Sequence, residues 1–180
     1  MKNSIGEHIT FTLFGESHGD AIGGVMDGLP CGIPVDDSLI EAALAKRRPC
    51  GKGETARVES DNFEIISGLF NGYTTGEPLT IIIENSNIRS NDYEATRHLA
   101  RPSHADYVSH LLHEGYEDYR GGGHFSGRLT APIVALGAIC GKMLGQKGIT
   151  IATHILKCGK AEDVPFSNDA TTLEQEIEKI

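Results

Sequence analysis

The residues from Arg101 to Ala131, RPSHADYVSHLLHEGYEDYRGGGHFSGRLTA, gather four histidines, three arginines and a triple glycine into one short stretch. An ordinary core has no use for so many ionisable side chains, which cost too much to bury without partners. The stretch therefore has to line a polar surface or cleft. Pro102 stands where a first-turn proline is tolerated, and Val108, Leu111 and Leu112 follow at helical spacing with Gly115 as a stop. That predicts a helix from about Ser103 to Glu114. On it His104 falls in the first turn beside the apolar stripe, while His110 and His113 point elsewhere. A second small-residue stretch, Gly15-Glu16-Ser17-His18-Gly19, follows an alternating strand pattern, and the two stretches read as one polar site.

A chain of 180 residues with 39% hydrophobic content can bury a real core, so a single globular unit is the expectation. Glycine, at 22 residues, is well above its usual share of about 7% and implies tight turns and close backbone approaches. Cys31, Cys50, Cys140 and Cys158 show no CxxC spacing, and no charged-then-apolar leader or long apolar run is evident, which predicts a cytoplasmic protein with no membrane association. A net charge of -9 argues against a general nucleic-acid binder. All eight arginines lie between Arg47 and Arg128, however, whereas the lysines are mostly outside that segment. Because the guanidinium fork matches carboxylate and phosphate, this distribution reads as recognition of a small polyanion, with solvated surface arginine as the plainer explanation for any one of them.

Taken in order, His8 to Phe14 alternate as a half-buried strand, and Ala21 to Met26, containing Gly23-Gly24, form a strand paired with it. Asp36 or Asp37 caps a helix with Leu39, Ile40, Ala43 and Leu44 inward, ending at Lys46-Arg47-Arg48-Pro49 where cations suit the helix dipole. Residues 50 to 61 read as a loop. Ile65 to Phe70 and Leu79 to Ile83 read as strands joined by a turn around Gly72 and Gly76, and Asn85 to Asn91 again as loop. After the triple glycine, whose N–H groups can converge on an anion, Thr130 and Pro132 start a long helix whose apolar positions from Ile133 to Leu144 imply burial on most sides. A strand from Ile149 to Leu156 follows. A last helix has Thr171 and Glu174 in capping-box form, and it stops without a C-terminal cap, which is read as a sequence cut short. No repeat or linker marks an internal boundary.

Gly15-Glu16-Ser17-His18-Gly19, Lys46-Arg47-Arg48-Pro49, Ser67-Gly68-Leu69-Phe70 with Thr74-Thr75-Gly76, Asn85 with Arg89-Ser90-Asn91-Asp92-Tyr93, Arg101-Pro102-Ser103-His104-Ala105-Asp106-Tyr107, and Asp118-Tyr119-Arg120-Gly121-Gly122-Gly123 together resemble chorismate synthase in order and spacing. The resemblance spans Ile5 to about Leu144 and implies the N-terminal half, residues 1–180, of a single domain in a family about twice this long. The fold it implies is α+β, antiparallel sheets and long buried helices in a β-α-β sandwich, assembled as a homotetramer. The activity it implies is an anti-1,4-elimination converting 5-enolpyruvylshikimate 3-phosphate to chorismate and phosphate. That reaction needs reduced FMN, from an external or NADPH-dependent source, although no net oxidation or reduction occurs.

By the same resemblance His104 helps the phosphate leave as an acid, and His18 stabilises the protonation state of the reduced flavin. Ser17, Arg47, Arg101, Arg128 and Lys52 bind the substrate, whose two carboxylates and phosphate suit several guanidinium groups. His124, Phe125 and Ser126 fall on the flavin-contacting stretch. Two departures stand out: His124-Phe125-Ser126-Gly127-Arg128-Leu129-Thr130-Ala131 replaces the family's Arg-Ser-Ser-Ala-Arg-Glu-Thr-Ala, and after Pro49 Cys50-Gly51-Lys52-Gly53 replaces, one residue shorter, the family's Gly-x-Ser followed by a basic residue. Two rival readings face the same residues. A zinc site from His104, His110, His113 and His124 lacks HExxH or paired CxxC spacing, whereas a non-catalytic phosphate-binding module would keep the arginines and lose flavin.

Overall fold

A computed structural model describes residues 2–49, 60–86 and 91–177 and divides into two compact units, Met1–Met143 and Leu144–Ile180. In the first unit, β1 (Ser4–Ile5), β2 (Thr10–Gly15) and β3 (Ala21–Asp27) are followed by α1 (Asp37–Arg47) and β4 (Phe63–Ser67). A small hairpin of β5 (Leu69–Phe70) and β6 (Tyr73–Thr74) leads to β7 (Leu79–Glu84), α2 (Asn91–Glu94), α3 (Asp106–Leu112) and α4 (Thr130–Gly145). Five strands form one antiparallel sheet in the order β1-β2-β3-β7-β4, which bears out the α+β, antiparallel expectation.

The core follows from the two-residue period of the strands. Ile22, Gly24 and Met26 of β3 lie opposite Ile83, Ile81 and Leu79 of β7, so one face of the sheet is apolar. Ile22, Leu79, Ile81 and Ile83 are fully buried there with Ile40 and Leu44 of α1 and Ala135, Leu136 and Ile139 of α4. The glycine pair in β3 serves close approach: a Cβ on Gly24 would stand 2.5 Å from Phe11 Cε2 and 2.9 Å from Leu136 Cδ1, and one on Gly23 would stand 2.3 Å from Phe14 Cζ. Gly24→Val is therefore expected to lower unfolding free energy by about 1–3 kcal/mol through overpacking of α4 on the sheet. Urea denaturation checks this, and an unchanged midpoint would show that α4 can shift freely.

Helix α1 begins as anticipated, with the Asp36 carboxylate accepting from Ser38 N, and its last turn carries Lys46 and Arg47. Three expectations about this unit are corrected. The strand expected over Ile65–Phe70 is interrupted at Gly68, where φ is +78° and a Cβ would meet Leu79 Cα at 2.4 Å; the chain then turns out into the β5–β6 hairpin. The helix expected from Ser103 begins only at Asp106, because Ser103 sits at φ +61° and cannot enter a right-handed helix; His104 thus precedes α3, and Val108 and Leu111 are 52% and 59% exposed. Helix α4 is buried along one stripe, Ala131, Pro132, Ala135, Leu136 and Ile139, not on most sides, and Ile133 is exposed. Gly127–Gly145 is long and apolar enough by composition to cross a membrane, and that stripe in the core accounts for its apolar character.

In the second unit, the strand expected from Ile149 to Leu156 is absent among the described residues. Among the described residues no strand pairs with Ile149, Ile151 or Ile155, and all three are exposed. A short hairpin of β8 (Lys157–Cys158) and β9 (Ala161–Glu162) follows, then α5 (Ala170–Ile177). Asp169 caps α5 in place of the anticipated Thr171, its Oδ2 accepting from Thr172 N at 2.9 Å and Thr172 Oγ1 at 2.8 Å.

Candidate active site

Strand β2 ends at Gly15, where φ is +95° and a Cβ would strike Ala21 O at 2.5 Å, so the chain turns sharply before returning as β3. The turn carries Ser17 and His18 inward, 0% and 4% exposed. Asn85, just beyond β7, clamps it: its Nδ2 donates to the carbonyls of Glu16 at 3.0 Å and Gly19 at 2.8 Å. Ser17 Oγ donates to Gly121 O at 3.3 Å and lies 2.9 Å from His18 Nδ1, which makes Nδ1 the donor in that second contact.

The triple glycine is the wall against which both histidines rest. Gly121, Gly122 and Gly123 all have positive φ, at 58°, 87° and 54°. A Cβ on Gly121 would lie 2.2 Å from His18 Cε1, and one on Gly122 would lie 2.6 Å from His104 Cε1. No residue with a side chain fits either place, so the glycines are required by the two imidazoles as much as by the backbone. Gly123 O accepts from Ser17 N at 3.1 Å, and His124 Nδ1 donates to Gly15 O at 2.8 Å. The segment is thereby stitched to the β2–β3 turn more than a hundred residues earlier.

His104 belongs to a second group with Arg101 and Asp106. Asp106 Oδ1 lies 2.8 Å from both Arg101 Nη2 and His104 Nδ1, and Asp106 Oδ2 accepts from Arg101 Nε at 2.8 Å. Arg101 Nη2 also stands 3.2 Å from His104 Nδ1 and can only donate, so Nδ1 is held between the Arg101 guanidinium and the Asp106 carboxylate and Nε2 is left as the atom for exchange with a ligand. The hydrogen bonds from Arg101, against a smaller desolvation cost, hold the Asp106 carboxyl well below the usual carboxylate range. A depressed folded pKa means that the pair's stabilisation is complete above the unfolded value near 3.9 and is lost only as acid carries the carboxyl down through its folded pKa. Carbon-detected NMR should accordingly find Asp106 still ionised near pH 3, where an ordinary aspartate is mostly protonated. A midpoint near the ordinary value would mean that the Arg101 pair does not persist in solution.

Arg47 and Arg128 meet elsewhere, at Asp61, whose side chain is 1% exposed. Arg128, 4% exposed at its side chain, donates from Nη1 to Asp61 Oδ1, from Nε to Asn85 Oδ1 at 3.1 Å and from Nη2 to Glu84 O at 3.1 Å. Arg47 Nη1 donates to Asp61 Oδ2 at 3.1 Å, and Arg48 Nε lies 3.6 Å from the same oxygen. The three arginines named from sequence thus fall into two groups, Arg47 with Arg128 and Arg101 with Asp106. Asn85 joins the first group to the turn bearing His18. Lys52 lies outside the described residues.

Phe125 and Ser126 continue from the glycines. The Phe125 ring is half-buried, edge-on to His113 and His124, and Ser126 Oγ accepts from Arg128 N at 3.3 Å. No heavy atom comes within 4 Å of a Cβ placed on Gly127. An aromatic ring, an imidazole, a hydroxyl and an open backbone side by side are a donor set and a surface that fit a planar ring system. Asp61, Asn85 and Asp106 were not among the site residues expected from the sequence. The spacing His104-x-Asp106 is the one local signal that could have raised Asp106, whereas Asp61 sits in what reads as an ordinary polar loop.

A one-sided antiparallel sheet, two histidines on a glycine wall and arginine–carboxylate groups define an α+β protein with a polar site at one end of its sheet. The family model described as chorismate synthase matches residues 9–180. The chorismate synthase of Pyrococcus abyssi is 42% identical, over 97% of this chain and 52% of the relative. That of Chitinophaga pinensis is 50% identical over 83% of this chain and 45% of the relative. A crystal structure of chorismate synthase superposes with a TM-score of 0.63 at 28% identity, covering 87% of this chain and 40% of the other. The chain belongs to the chorismate synthase family. It spans about half the length of the curated relatives it matches.

Proposed function

We propose that the protein carries out the family's elimination, converting 5-enolpyruvylshikimate 3-phosphate to chorismate and phosphate. The observation that supports this best is the Arg101–Asp106–His104 group on the wall of Gly122. With Nδ1 between Arg101 and Asp106, His104 presents Nε2 to a ligand, and Arg101 supplies a guanidinium beside it for the phosphate oxygens. For the step to balance, the ring gives a proton to a base on the flavin side, the electron pair of its carbon–oxygen bond leaves with the phosphate, and the departing phosphate takes the proton that His104 carries on Nε2. Arg47, Arg128, Ser17 and Lys52 are the further substrate-binding residues in this reading: Arg47, partly exposed, can turn from Asp61 to an anion, whereas Arg128 stays on Asp61, Asn85 and Glu84 and adds its charge from behind. His18, buried against Ser17, is the proton-holding group on the flavin side.

His124, Phe125 and Ser126 would hold the flavin. Reduced FMN, when bound, supplies the reducing character the reaction requires without net redox change. In keeping with the family, the working protein is proposed to be a cytoplasmic homotetramer. The test is anaerobic release of phosphate from 5-enolpyruvylshikimate 3-phosphate with reduced FMN, using the chain alone and supplemented with the uncovered portion of the Pyrococcus abyssi relative. Phosphate release that depends on both substrate and reduced FMN is expected in at least one arrangement. Binding of the substrate with no FMN-dependent release in either would overturn the assignment.

A further inference from the structure

We infer that Tyr93 is a positioning residue that sets His18 and Arg101 relative to each other, a role that rests on the elimination chemistry proposed for this site. The two side chains it serves arrive from separate parts of the chain: His18 from the β2–β3 turn and Arg101 from the segment before α3. Each is held on one side by its own neighbours, His18 by Ser17 Oγ and the Gly121 wall, Arg101 by the Asp106 carboxylate. Tyr93, in the short helix α2, touches both. Its ring meets the His18 imidazole edge-on, with centroids 5.1 Å apart and planes at 79°. The Arg101 guanidinium carbon lies 5.9 Å from the same ring's centroid. Edge-to-face packing is a favoured arrangement of aromatic rings, and a guanidinium within about 6 Å of a ring face is attracted by its quadrupole. Tyr93 also lines a cavity of about 230 Å³ with Arg101, Asp106 and Gly122, so the ring stands where a ligand would reach these groups.

Both contacts belong to the ring and neither to the hydroxyl, which separates the substitutions. Tyr93→Phe keeps the ring; Tyr93→Leu and Tyr93→Met remove it while filling comparable space at a half-buried position. The experiment records nuclear Overhauser contacts between His18 Hε1 and the Gly121 α-protons in wild type and the three variants, together with substrate turnover and thermal melting. Expected is that Tyr93→Phe retains the contacts and turnover, whereas both ring-less variants weaken the contacts and lower kcat/KM on the order of ten- to a hundredfold, the cost of a small misplacement. The inference is overturned if a folded ring-less variant keeps the His18–Gly121 contacts, or if Tyr93→Phe loses as much as Tyr93→Leu. If the wild type itself releases no phosphate, the functional reading fails, yet the His18 contacts in the same variants still decide the positioning role.

Discussion

Replacing Asp61 by alanine should lower unfolding free energy by about 3–5 kcal/mol, the range for breaking a buried ion pair by removing one partner. Asp61 and Arg128 have side chains only 1% and 4% exposed, and Arg128 has further bonds to Asn85 Oδ1 and Glu84 O that hold it in place. Without Asp61 the guanidinium stays buried beside a missing charge, and it cannot reach solvent without abandoning the clamp on the turn that carries Ser17 and His18. Arg47 fares better, since its side chain is 21% exposed and it can turn outward. The double variant Asp61→Ala/Arg128→Met should recover much of the loss, because it removes the buried charge along with its partner. Urea unfolding of the two variants and the wild type measures both values. A change under about 1 kcal/mol for Asp61→Ala would show that water already solvates the pair.

His104→Ala should slow phosphate elimination by about 10²–10⁴-fold, the usual contribution of a positioned general acid. Stability should change little, because His104 lies in the turn before α3 with a side chain 31% exposed. Asp106→Asn should also slow the reaction. Its amide loses the charge that holds the Arg101 guanidinium by two hydrogen bonds beside His104, so the guanidinium is released from its place next to the imidazole. The pair is read by single-turnover kinetics. Wild-type turnover in His104→Ala would assign the proton to another group, and wild-type turnover in Asp106→Asn would remove the role given to Asp106.

Local patterns made much of the first unit legible. The alternation in β2, β3 and β7, the Asp36 cap and basic end of α1, and the Thr130 start of α4 each depend on residues within a few positions of one another. The histidines and the glycine wall were legible as candidates because such residues have no ordinary core use. Where local pattern misled, a competing term is identifiable. The positive φ of Ser103 delayed α3, and the apolar alternation of Ile149 to Ile155 met no strand to pair with.

By itself, then, the sequence determined the antiparallel α+β class, the family, and which residue types could carry the chemistry, since these are written in short-range periodicity and in motifs. Tertiary structure alone decided the partners. Arg128 meets Asp61 across 67 positions of sequence, and Ser17 meets Gly121 across 104. Pairing at that range depends on how the sheet and the glycine wall bring distant backbone together. It placed Arg47 and Arg128 on the buried Asp61, Arg101 on the partly exposed Asp106, and Tyr93 against both His18 and Arg101. No spacing rule reaches so far along the chain, because the free energy of those contacts comes from burial and from charges excluded from water, which exist only once the fold has formed.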